Sequence, residues 1–200
     1  MSDPEDRTSE VHDFREILSN AVDGDLPLLV GGHAVNLWAQ IYRQRIGRDL
    51  DQWLPLTSKD LDLFGTIGLL ENMKSRFGGN FRLSGPRSPV VGQLVVKLAG
   101  GERHIDVLRE VYGIRRQEVM KESVTLEIKT GEESYQVRVL PIIPMLRAKV
   151  ANLAFLDQTG RNDLKHVQLM LLVVREYLLE LIRAAESNDM DSRAAIIPME

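Results

Sequence analysis

Leu28-Leu29-Val30-Gly31-Gly32-His33-Ala34 runs a short apolar segment into two glycines and then into good helix formers as far as Tyr42. The pattern predicts a buried strand over 27–30, a turn at Gly31-Gly32 and a helix over 34–42. Glycines lack Cβ, so the backbone there can approach a bound group closely. The helix start adds free N–H groups and a dipole end that favours an anion. Standing alone, such a pair is more often a tight turn with no ligand. No Gly-Lys-Ser/Thr follows and no GxGxxG is present, which excludes a Walker A loop and the dinucleotide fingerprint.

Upstream, Val11, Phe14, Ile17, Leu18 and Ala21 recur at helical spacing, predicting a helix over 9–21. Downstream, 43–58 is polar, with Gly47 and Pro55, and reads as a loop. Lys59-Asp60-Leu61-Asp62-Leu63-Phe64 then alternates. Leu61 and Leu63 share one face of a strand, and Asp60, Asp62 and Phe64 share the other. Thr66 can cap a helix that ends at Gly78-Gly79. Strands are expected at 81–83, 90–98, 104–109, 124–129 and 135–140, with hairpins at Gly100-Gly101 and Gly131. Two helices follow, over 143–156 and 162–185, with a break at 157–161. The order implies an α+β fold: a mixed sheet backed by helices, with a C-terminal helical pair. The expected division is a tail at 1–8, a core at 9–140, a helical region at 141–186 and a tail at 187–200.

The bulk composition fits a packed globular chain. Of 200 residues, 44% are apolar and 27% charged. The absence of cysteine excludes disulfide frameworks and Cys-based zinc sites. Met1 to Glu10 is polar and acidic, unlike a secretory signal. The most apolar stretch, 169–182, carries Arg175, Glu176 and Glu180 and is too short to span a bilayer. A soluble cytoplasmic protein without a membrane partner is expected. A net charge of −4 argues against a general nucleic-acid coat. Two local basic clusters remain, Arg43/Arg45/Arg48 and Arg115/Arg116, each of which also fits a solvated face. Trp38 and Trp53 read as packing residues rather than base-stacking platforms, and His33 as a packing or capping residue.

The acids carry the chemistry. Residues i and i+2 of a strand point the same way, about 7 Å apart. Two carboxylates on one face of a buried strand repel and lose hydration, and a divalent cation would offset both. Oxygen donors suit Mg²⁺ or Mn²⁺. His104-Ile105-Asp106-Val107-Leu108 is another short strand with one acid among apolar residues. If it neighbours the first, Asp106 joins Asp60 and Asp62. Such a trio can hold two metals against a transferring phosphoryl group. A solvated strand face explains Asp60 and Asp62 alone, and an edge position explains Asp106 alone.

In combination, Leu29-Val30-Gly31-Gly32-His33-Ala34-Val35, Thr57-Ser58-Lys59-Asp60-Leu61-Asp62-Leu63-Phe64 and Ile105-Asp106-Val107 resemble the DNA polymerase β-like nucleotidyltransferase superfamily. The likeness is greatest to its AbiEii-type branch, which includes toxins of bacterial toxin–antitoxin pairs. Val139-Leu140-Pro141 through Leu146-Arg147-Ala148-Lys149-Val150-Ala151 is similar to that branch's strand-Pro-helix element with an inward Lys. The resemblance implies that Gly31 and Gly32 contact a nucleoside triphosphate and that Asp60, Asp62 and Asp106 bind metal. It implies that Asp106 assists deprotonation of an acceptor hydroxyl and that Lys149 neutralises phosphate charge or orients the acceptor. The implied acceptor is RNA (a tRNA end among the candidates) or a protein, and an antitoxin is the implied partner. A degenerate nucleotide- or partner-binding protein and an antibiotic nucleotidyltransferase are the alternatives. Much of the superfamily has Gly-Ser at Gly31-Gly32. The branch has a basic residue before the Asp of the last helix, where this chain has Asn162-Asp163. Asp163 is therefore read as an N-terminal helix charge.

Overall fold

The computed structural model describes residues 8–20, 25–98, 101–130 and 133–186. The expected tails, Ala21, Gly100 and Gly131 fall wholly or mainly outside these residues.

A 3₁₀ turn, Val11–Phe14, leads into α1 (Arg15–Leu18), a single turn. The continuous helix expected over 9–21 is thus two short pieces, although Val11, Phe14, Ile17 and Leu18 are buried as its periodicity requires. β1 (Leu28–Leu29) feeds α2 (Gly31–Ile41), which begins at the first glycine rather than at Ala34. The expected loop at 43–58 contains α3 (Arg43–Ile46) and a 3₁₀ segment, Gly47–Trp53. Buried Ile46 and Leu50 anchor this segment to the core.

β2 (Asp60–Phe64), α4 (Ile67–Phe77), β3 (Asn80–Leu83), β4 (Val90–Leu98) and β5 (Gly101–Leu108) follow. Thr66 occupies the N-cap position of α4, but its side chain makes no capping hydrogen bond. Then come α5 (Arg116–Glu122), β6 (Val124–Thr130), β7 (Glu133–Val139), α6 (Ile142–Phe155) and α7 (Asp163–Glu186). Pro144 lies in the first turn of α6, where no intrahelical N–H bond is lost.

The seven strands form one sheet in the order β3-β4-β5-β2-β1-β7-β6. β2 pairs β5 in parallel and β1 pairs β7 in parallel, while the other pairings are antiparallel. The sheet is mixed and backed by helices, as expected, and α6 and α7 form the C-terminal helical pair. The centre of the molecule is α2. Every residue from Gly32 to Ala39 is buried, because β2 packs on one side of this helix and α6 and α7 on others. The Trp38 indole N–H donates to the Leu140 carbonyl at 2.9 Å, tying α2 to the end of β7. The Tyr42 hydroxyl donates to Glu180 at 2.8 Å, tying it to α7. Among the described residues no helix is long and apolar enough to cross a membrane.

Candidate active site

Register brings the acids together. In the parallel β2–β5 ladder, Leu61 lies beside Ile105, Asp62 beside Asp106, and Leu63 beside Val107. The leucine-containing pairs are fully buried, so alternation sends Asp60, Asp62 and Asp106 to the opposite face. Asp62 and Asp106 line one cleft together with Gly31, Lys149 and Arg161. Asp60 lies on the same face without lining that cleft. Its charge still acts on both of the others, pushing their carboxyl groups up.

Gly31 and Asp62 require each other's shape. Gly31 has φ +69°, and a Cβ there would stand 1.8 Å from the Asp62 carboxylate. A side chain at this position is excluded both sterically and by backbone conformation. The Gly32 N–H donates to Asp62, placing the first turn of α2 and its dipole against a carboxylate. A Cβ on Gly32 would fall 2.5 Å from Ser58 Oγ. The turn is packed between β2 and the segment that precedes it.

Burial dominates the state of Asp62, raising its pKa to about 7. Lys149 lowers it, while Asp106 and Asp60 raise it. Burial also raises Asp106, against the Gln93 side-chain amide, which donates to its Oδ1 at 3.0 Å. Among the described residues no three His, Asp or Glu side chains are gathered to enclose a metal ion unaided. The donor set nonetheless fits Mg²⁺ or Mn²⁺. Such ions are commonly held by one or two carboxylates, with substrate phosphates and water completing the shell.

Asp163 is the first residue of α7, as expected of a helix-start charge, and the structure adds a second role. It is 2% exposed and binds three donors from the cleft wall. Lys149 Nζ lies 3.3 Å from its Oδ1, Asn152 Nδ2 3.4 Å from the same oxygen, and Arg161 Nε 2.6 Å from Oδ2. Burial opposes its charge, but Lys149 and Arg161 win, and its pKa falls below the ordinary value. Lys149 is 5% exposed. A buried lysine at the cleft wall is thereby paired with a carboxylate that does not line the cleft. His33 packs as expected, with its ring edge on Phe14 and its Nε2 3.4 Å from Ser9 Oγ. Trp38 is core, as read from sequence. The Arg43/Arg45/Arg48 cluster sits at the far end of α2 from Gly31, and Arg45 is committed to Glu180 at 2.7 Å. Arg115 and Arg116 follow directly on the turn at the cleft rim.

The chain matches a crystal structure of an antigenic nucleotidyltransferase-like protein from Paracoccidioides brasiliensis, with a TM-score of 0.51 over 95% of this chain and 93% of that one. The fold is nucleotidyltransferase-like. At 13% identity the likeness speaks for the fold alone. No protein-family model matches the chain, and no curated protein sequence matches it. Within the nucleotidyltransferase-like fold, the cleft lies where a helix N-terminus, two strands of the sheet and α6 converge. An anion entering it meets the α2 N-terminus, Lys149 and Arg161, with Asp62 and Asp106 beside it.

Proposed function

We propose that this protein is a metal-dependent nucleotidyltransferase, moving a nucleoside monophosphate from a nucleoside triphosphate to an acceptor hydroxyl. The observation that carries this reading is the in-register pair Asp62–Asp106, set in one cleft with Gly31 and Lys149. Asp62 and Asp106 would hold Mg²⁺ or Mn²⁺, with Asp60 adding charge from the same face. A bound divalent ion would supply charge stabilisation at the transferring phosphoryl group and the pyrophosphate leaving group. Gly31, with no Cβ, would let phosphate come close to the start of α2, and Gly32 would border it with its N–H kept on Asp62. Lys149, positioned by Asp163, would neutralise phosphate oxygens. Asp106 would accept the proton of the acceptor hydroxyl as its oxygen attacks the α-phosphorus in line.

For the acceptor we favour RNA or a protein hydroxyl. An aminoglycoside would need a markedly acidic acceptor pocket, whereas this cleft also carries Lys149 and Arg161. The AbiEii-type motifs support placement on that branch, with an antitoxin as partner.

Purified protein with Mg²⁺ and labelled nucleoside triphosphates should transfer label to an RNA or protein extract. Asp60→Ala combined with Asp62→Ala should lower transfer at least ~100-fold, the scale of losing a charge-stabilising group. Transfer that survives this double substitution would overturn the site. Binding without transfer across a broad acceptor panel would favour a nucleotide-binding role instead.

A further inference from the structure

The cleft has an apolar arm that the phosphate chemistry leaves unused, formed by Val111, Tyr112, Met145, Ala148 and Leu156. Tyr112 is 41% exposed, although it lines the cleft. It sits in the turn Val111–Ile114, closed by the Ile114 N–H donating to the Val111 carbonyl at 3.2 Å. The turn is clamped to α6. Gly113 has φ +77°, and a Cβ there would fall 2.7 Å from Ala151 Cβ. The Arg147 guanidinium donates to the Gly113 carbonyl at 3.0 Å and pairs with Glu118. The backbone that carries Tyr112 is therefore fixed at the cleft wall, with the residue partly open to solvent. Asn152 lines the same cleft, and its Nδ2 donates to Asp163. A carboxylate only accepts, so with Nδ2 on Asp163 the side-chain oxygen of Asn152 is the atom left to accept from a cleft ligand.

We propose that this arm is the nucleobase subsite, with the base stacked on the Tyr112 ring and an N–H of its edge donating to the Asn152 carbonyl oxygen. The proposal rests on the reading of the cleft as a nucleoside triphosphate site. The cleft encloses about 190 Å³, below the ~300 Å³ at which pockets begin to engulf a whole small ligand. A base lying across a rim ring fits that size better than one swallowed whole. Stacking on one aromatic side chain changes affinity by about ten- to a hundred-fold.

Calorimetric titration with Mg²⁺ and a non-hydrolysable nucleoside triphosphate, run beside inorganic tripolyphosphate, tests this. Tyr112→Ala should weaken the nucleotide at least ~10-fold and leave tripolyphosphate unchanged, while Tyr112→Phe keeps both. Asn152→Ala should narrow the spread of affinities among the four nucleoside triphosphates. The subsite is overturned if Tyr112→Ala binds nucleotide like the wild type, or loses tripolyphosphate to the same degree. An unchanged spread removes Asn152 from the proposal. If wild-type protein binds neither ligand, the triphosphate reading fails together with the subsite. Tripolyphosphate bound as tightly as nucleotide overturns the base contact alone.

Discussion

Asp62 sits where a helix N-terminus, an ammonium and two further carboxylates act on one group, and burial outweighs the favourable terms. Its carboxyl titrates near pH 7 instead of at its usual 3.8. Between those two values the folded, metal-free chain keeps a proton that the unfolded chain has released. The stability from this group is complete below about pH 4 and is lost as pH rises through 7. His33 and His166, pushed down to about 4 and about 3 by burial, have the opposite slope between pH 4 and 6.5. Comparing wild type with Asp62→Asn cancels them. The two metal-free proteins should be close in stability near pH 4, and the variant should be the more stable at pH 8. At ~1.4 kcal/mol for each pH unit, the ceiling on that gain is about 4 kcal/mol. Denaturant unfolding at both pH values measures it, and Mg²⁺ should shrink the gap by stabilising the wild type. A pH-independent difference would contradict the raised pKa.

At the scale of elements, Lys149 on α6 and Asp163 at the start of α7 are joined across the bend between the two helices. Removing the carboxylate strands a buried charge. Asp163→Ala should cost about 3–5 kcal/mol, and adding Lys149→Met should recover most of it. Chemical denaturation of the three variants is the measurement, and a double variant as unstable as the single one would show that the pair is not the reason. This bond was invisible in sequence because an acid at a helix start is ordinary and nothing links it to a lysine fourteen residues earlier. Elements with a strong period were legible: β2 by its alternation, β4 by its long apolar run, and α7 by its length. The helical segment α5 was missed, because it buries a single residue, Val119, and its other apolar side chain, Met120, is exposed, so no period shows. The N-terminal helix was read as longer than it is because burial of Phe14 and Leu18 needs only two short turns.

At the scale of the whole molecule, the division at residue 140 looks natural along the chain but cuts through the packing. α2 is buried from Gly32 to Ala39, and α6 and α7 both pack against it. A chain ending at residue 140 should therefore lack cooperative unfolding and a structured near-ultraviolet dichroism spectrum, whereas the full chain shows both. A sharp unfolding transition in the short chain would establish an independent core. The strand–glycine–helix start and the acids were readable from sequence. The pairing of β2 with β5 was only conditional there, since strand neighbours are chosen by the tertiary fold.

That pairing sets what kind of change the site can absorb. Side chains alternate along a strand, so adding or deleting one residue within β2 or β5 would turn its aspartate into the leucine layer and silence the centre at once. Between the two strands the chain runs through α4, β3 and β4, and β4 lies beside β5 in the same sheet, where Gln93 holds Asp106. Only the connections on that path can change length without moving a carboxylate, because loop closure costs rise only slowly with length. The exposed turn at Gly78, between α4 and the edge strand β3, is thus the natural place to graft a reporter or an extra recognition module. Insertions there should be inherited without loss of chemistry, while frame-preserving changes a few residues away should not.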